Sequence, residues 1–136
     1  DEDTVVFSGA NVYVQSGSGS TVGDVNGLGN VIIGYDEDSG QDKTGSHNLI
    51  LGRLHEYTGY GSIVTGFTNS VTNFNIVGGS FNDATADFSS VFGRQNEATA
   101  IYSMVLGGFN GSADGSYSTL VGGDNNTCSD QYEVCP

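Results

Sequence analysis

From Ser62 to Asn126 the apolar residues do not alternate with polar ones but cluster at a near-constant interval. Ile63-Val64, Ile76-Val77, Val91-Phe92, Met104-Val105-Leu106 and Leu120-Val121 each lead into a glycine, and an asparagine follows that glycine by three places. The pairs are Gly66 with Asn69, Gly79 with Asn82, Gly93 with Asn96, Gly107 with Asn110 and Gly122 with Asn125, at glycine steps of 13, 14, 14 and 15. Phe74, Phe88, Tyr102 and Tyr117 each stand five positions before one of these glycines. A fixed period marks a repeat architecture, and this one is shorter than the helical repeats, which begin near about 33 residues. It is also too short for a βαβ unit of roughly 30.

At about 3.3 Å per extended residue, one period lays out roughly 46 Å of chain. That accommodates two short strands and two corners, which is one coil of a flattened β-solenoid. Glycine suits a corner that needs positive φ, and asparagine is the next most tolerant residue there. The second half of each coil is small and polar, as in Ala84-Thr85-Ala86, Ala98-Thr99-Ala100 and Ser112-Ala113, which leaves room for a thin interior. The pattern therefore predicts an all-β fold: a parallel β-roll of two-strand coils, with internal backbone groups paired to the coils above and below.

Consecutive apolar residues indicate strands buried on both sides. The interior of so thin a coil accounts for one side only, and no helix is available to cover the other. Either sister copies cover it, or it is a tolerated apolar surface of the kind every protein carries. Stacking makes it a continuous ribbon rather than scattered residues. Ile63, Ile76, Phe92, Met104, Leu106 and Val121 are the candidate assembly face.

Ser62-Ile63-Val64-Thr65-Gly66, Ser90-Val91-Phe92-Gly93 and Ser103-Met104-Val105-Leu106-Gly107 resemble the head repeats of bacterial trimeric autotransporter adhesins. Asn26-Gly27-Leu28-Gly29-Asn30-Val31-Ile32-Ile33-Gly34, with Gly45-Ser46-His47-Asn48-Leu49-Ile50-Leu51-Gly52, is similar to the lead-in to such repeats in uncharacterised bacterial surface proteins. The resemblance covers residues 26–126 and is specific for architecture. It implies 14-residue coils in a left-handed parallel β-roll, with three chains packed side by side.

Three units are expected: an N-terminal hairpin with a Gly/Ser link over 1–25, the roll over 26–127, and a disulfide loop over 128–136. Thr4-Val5-Val6-Phe7, Ser8-Gly9-Ala10-Asn11 and Val12-Tyr13-Val14 read as strand, turn and strand. Such a hairpin caps the open edge of the first coil, or adds to the edge of a neighbouring subunit through Val5, Phe7, Val12 and Val14. Cys128 and Cys135, with six residues between them, fit a small disulfide in an exported chain. A link between chains is the alternative.

The 18-residue step from Ile32-Ile33-Gly34 to Ile50-Leu51-Gly52 leaves about four residues for a loop, filled by the acidic stretch from Asp36 to Asp42. Asp36, Asp38 and Asp42 could gather hard oxygens for Ca²⁺, although the glycine falls one place early and no glutamate closes the ring. The other reading is a solvated acidic loop. No other cofactor is suggested. His47 and His55 read as corner residues rather than a metal pair. Tyr57, Tyr60, Phe67, Phe81 and Phe109 either line a binding surface or wedge between coils. Asn110-Gly111-Ser112 and Asn125-Asn126-Thr127 make Asn110 and Asn125 glycosylation candidates.

A formal charge of −13, from 16 acids against Lys43, Arg53 and Arg94, repels nucleic acid and anionic membranes. No stretch has the length and apolarity of a spanning segment. A first residue of Asp1 rather than Met fits a processed, exported chain, so a secreted or cell-surface location is expected. No nucleophile–base pair or paired carboxylates mark a cleft, so no enzyme is expected. The leading reading is an extracellular structural subunit that associates with itself, as a trimer or by head-to-tail stacking into a fibre. The alternatives are a binding head for matrix protein or glycan and, more weakly, an ice-binding solenoid. The last needs a regular Thr row, which Thr65, Gly78, Phe92, Leu106 and Val121 do not supply.

Overall fold

The computed structural model describes residues 3–136; Asp1 and Glu2, where the expected N-terminal unit begins, lie outside the described residues. The repeats form a parallel β-solenoid of about eight turns. One wall is an eight-stranded sheet of β1 (Val31–Ile33), β2 (Leu49–Arg53), β4 (Ile63–Phe67), β6 (Ile76–Ser80), β8 (Ser90–Arg94), β10 (Met104–Val105), β12 (Thr119–Leu120) and β14 (Val134–Cys135). The facing wall holds six two-residue strands: β3 (Glu56–Tyr57), β5 (Ser70–Val71), β7 (Asp83–Ala84), β9 (Glu97–Ala98), β11 (Ser112–Ala113) and β13 (Thr127–Cys128). Each strand pairs in parallel with the equivalent strand of the next coil.

The interior is two columns of side chains. Ile50, Val64, Val77, Val91, Val105, Leu120 and Cys135 project from the larger sheet. Tyr57, Val71, Ala84, Ala98, Ala113 and Cys128 meet them from the smaller one. Branched residues on one wall facing the alanines Ala84, Ala98 and Ala113 on the other set the thinness of the coil. The expected disulfide forms between Cys128 and Cys135, Cα atoms 5.7 Å apart. It is the last rung of the described interior, joining the two walls.

The chain turns back at each edge through a residue with positive φ, followed at once in most coils by a buried polar residue. At one edge the turn residues are Leu54, Thr68, Phe81, Gln95, Asn110 and Asn125, and the position after them is His55, Asn69, Asn82, Asn96, Gly111 and Asn126. There the side chains form a ladder: Asn82 N–H donates to Asn69 Oδ1 (2.9 Å) and Asn96 N–H to Asn82 Oδ1 (3.0 Å). Asn82 Nδ2 in turn donates to the carbonyls of Gly78 and Gly93. The corner amides of Asn69, Asn82, Asn96 and Gly111 are thereby matched within the wall.

This ladder corrects the sequence frame for the last two coils. Gly108 and Gly123, not Gly107 and Gly122, carry the positive φ that Gly66, Gly79 and Gly93 carry earlier. The corner steps are therefore 13, 14, 15 and 15, the extra residue entering at Leu106-Gly107-Gly108. A Cβ at Gly66 would overlap the carbonyl oxygen of Gly79 in the next coil, so this positive-φ glycine cannot move without its stack. Asn110 and Asn125 consequently sit at the exposed turn, with φ of 52° and 57°.

The predicted hairpin does not form. Residues 4–14 contain no strand, and Gly9, at φ 64°, bends the segment without bringing its halves into pairing. Two strands of this length are unstable without a third surface, and the solenoid already pairs β1 with β2. What remains is an extended arm.

Candidate assembly face

The residues flanking the buried column of the large sheet point outward and form two further columns. Val31, Leu49, Ile63, Ile76, Ser90, Met104, Thr119 and Val134 are in register in the first. Ile33, Leu51, Thr65, Gly78 and Phe92 begin the second, and Leu106 and Val121 follow Val105 and Leu120 in the coils below. All six candidate face residues, Ile63, Ile76, Phe92, Met104, Leu106 and Val121, therefore lie on one surface. Ile76, Leu106 and Val121 are 46%, 49% and 50% exposed. Phe92 is half-buried because its ring leans over Gly78, where a Cβ would lie 3.1 Å from Phe92 Cδ1.

The opposite outer face differs in kind. Glu56, Ser70, Asp83, Glu97, Ser112 and Thr127 occupy the outward column of the small sheet. Burial, with the charge of Glu56 beside it, raises the Asp83 carboxyl above its ordinary value. Two outward faces of one coil, built on the same backbone, thus carry opposite chemistry.

The other edge of the solenoid carries a second polar ladder that the glycine–asparagine frame does not reveal. Asn30, Asn48, Ser62 and Asn75 link successive coils, with Asn48 N–H on Asn30 Oδ1, Ser62 N–H on Asn48 Oδ1 and Asn75 N–H on Ser62 Oγ. Ser89, Ser103 and Ser118 continue the buried row. Its signal is the small polar residue directly after each aromatic, as in Phe74-Asn75, Phe88-Ser89, Tyr102-Ser103 and Tyr117-Ser118. The aromatics themselves hold positive φ, an uncommon setting for a bulky residue. Their rings stack from Phe74 through Phe88, Tyr102 and Tyr117 to Tyr132 at centroid spacings of 4.9–5.2 Å. Tyr60 meets Phe74 edge-on at the start. At the opposite edge Phe67 meets Phe81 edge-on, and the guanidinium of Arg94 lies 5.6 Å from the Phe109 centroid.

The acidic loop does not bring Asp36, Asp38 and Asp42 together. The Asp36 carboxylate lies 3.0 Å from Lys43 Nζ and accepts the Tyr57 hydroxyl at 2.8 Å. Asp38 accepts the Gly40 and Gln41 N–H groups, the first of which does most to lower its pKa. Asp42 turns to Thr44, whose side chain and N–H hold its carboxyl low. Asp38 and Asp42 are spent on their own turns and Asp36 on Lys43 and Tyr57, uses that spacing alone cannot distinguish from a calcium loop. Tyr57 is buried in the core, and burial followed by the Asp36 hydrogen bond drives its phenol pKa upward.

His47 and His55 occupy opposite edges. His47 Nε2 accepts Ser16 N–H at 3.0 Å, tying down the N-terminal segment. His55 takes an asparagine's place in the first ladder, accepting Asn69 N–H on Nδ1 and facing the Leu51 carbonyl with Nε2. That arrangement requires the neutral ring, and burial lowers its pKa accordingly. Asn110 Nδ2 donates to Asn125 Oδ1, both on the exposed turn. No family model, curated protein or solved structure matched the chain.

Proposed function

We propose that this protein is a non-enzymatic, extracellular structural subunit, a β-roll that associates with itself through the outer face of its larger sheet to build a surface adhesin or fibre. The observation that carries this reading is the contrast between the two outer faces. The small sheet presents carboxylates and hydroxyls, whereas the large sheet presents Val31, Ile63, Ile76, Leu106, Val121 and Val134, each at least 40% exposed. A tolerated surface has no reason to keep its apolar residues in one register.

Fully burying an aliphatic side chain contributes about 1.5–3 kcal/mol, so these half-exposed residues forgo roughly 6 kcal/mol per chain and about 12 for two facing copies. Association itself costs about 4–15 kcal/mol. Two ribbons pressed together are thus near balance, and a stable assembly draws on more than this contact. The resemblance to adhesin heads favours three copies side by side.

Light scattering coupled to gel filtration of the intact chain tests the reading. A trimer or larger species is expected, and Ile76→Asp with Leu106→Asp should shift it to monomer without changing the β circular-dichroism signal. A wild-type chain that stays monomeric at micromolar concentration would end this reading. Discrete trimers favour an adhesive head and filaments in negative stain favour a fibre. The matrix- or glycan-binding alternative draws support from the exposed edges of the aromatic stack.

A further inference from the structure

We propose that the arm of residues 4–14 is exchanged between copies, each arm lying along the apolar face of its neighbour. This rests on the self-association proposed above and identifies what completes the contact. Val5, Val6, Phe7 and Tyr13 are 80%, 75%, 68% and 77% exposed. Among the described residues, 4–14 make no backbone hydrogen bond to the solenoid. The apolar stretch Val5–Phe7, left in water, lacks a partner in its own chain.

The arm is nevertheless firmly rooted. Ser16 is buried, its N–H donates to His47 Nε2, and its carbonyl accepts Asn26 Nδ2–H at 3.0 Å. The root opens onto the assembly face, since Val12 and Val14 line one shallow, open groove with Val31, Leu49 and Ile63. The arm therefore leaves the body at the N-terminal end of the apolar columns, where a packed neighbour presents the same columns.

Its length matches that task. Residues 4–14 span roughly 36 Å when extended at about 3.3 Å each, and eight strands stack over seven steps of about 4.8 Å, or roughly 34 Å. The two outward columns lie two residues apart, leaving a trough about 7 Å wide between them. Gly9, in the left-handed region at φ 64°, divides the arm into Val5–Phe7 and Val12–Val14. The two apolar pieces can thus turn separately toward the trough. In its own chain the arm leaves Ile76, Leu106 and Val121 uncovered while its own valines stay exposed. Reciprocal exchange in a closed ring covers both at once and leaves no arm free.

The test uses the full chain with Phe7→Cys and Leu106→Cys, oxidised at low concentration and read by mass on a non-reducing gel. Covalent species linking two or more chains are expected. A cross-link confined to single chains, or none, would overturn exchange. In parallel, Val5→Asp with Phe7→Asp should weaken self-association about a hundredfold with an unchanged circular-dichroism spectrum. If that variant keeps the wild-type mass and affinity, the arm proposal fails while self-association stands. A monomeric wild type removes both.

Discussion

Asn82 allows the internal ladder to be weighed against the surface. Its side chain accepts the Asn96 N–H and donates to the Gly78 and Gly93 carbonyls at 3.0 and 2.9 Å, all within a fully enclosed wall. Asn82→Ala strands the Asn96 N–H, at about 1–3 kcal/mol, and forfeits two further bonds at about 0.5–1.5 kcal/mol each. The expected loss is therefore about 2–6 kcal/mol, a large share of the roughly 5–15 kcal/mol that holds a typical domain. Asn110 holds the same place in the sequence motif but lies on the exposed turn. Asn110→Gly keeps the positive φ and should cost no more than about 0.5 kcal/mol. Urea unfolding followed by circular dichroism measures both, and hydrogen exchange at the Asn96 amide localises the first. Equal losses at the two sites would refute the one-residue shift of frame and the ladder with it.

Gly111 stands where an asparagine would continue that ladder, and its Cβ would lie 2.6 Å from Leu120 Cδ2. Gly111→Asn alone should destabilise, while adding Leu120→Val should recover about 1 kcal/mol or more beyond additivity in a double-mutant cycle. Tyr117 stacks on Tyr102 and Tyr132 at 4.9 and 5.1 Å but sits at φ 62°. Tyr117→Ala loses the stacking and keeps the strain, so it should melt below Tyr117→Gly, which gains back about 1–2 kcal/mol of backbone relief. Asp83 has a folded pKa raised above 3.8 chiefly by burial. The native state thus holds that proton more tightly than the unfolded chain, a contribution present below the ordinary Asp pKa and lost as pH rises through the folded value. Asp83→Asn should therefore raise stability at neutral pH and flatten the gain on acidification; an unchanged pH profile of the unfolding midpoint would contradict this.

The aromatic stack shows how partial a sequence reading is even where it succeeds. The spacing of Phe74, Phe88, Tyr102 and Tyr117 marks them as equivalent, yet nothing in the spacing says that they occupy a left-handed turn or that Tyr132 extends them. The arm shows the reverse. Val5 to Val14 carry a hairpin signal by composition, but a hairpin needs a surface beneath it, and whether one exists is a property of the assembled solenoid.

The period alone determined the coil, its two walls and their parallel stacking, because each coil is satisfied by groups one repeat away and that relation is written in the spacing. The Cys128–Cys135 bridge was legible for the same reason, being local. Tertiary structure decided the phase of the last two coils. One inserted residue can be absorbed on either side of a glycine, and only closure of the Gly93–Gly108–Gly123 stack selects between them. It also decided the use of Asp36, whose carboxylate goes to Lys43 and Tyr57 rather than to its neighbours in sequence. Those choices depend on which groups meet across the coil, and distance through space is not encoded in distance along the chain.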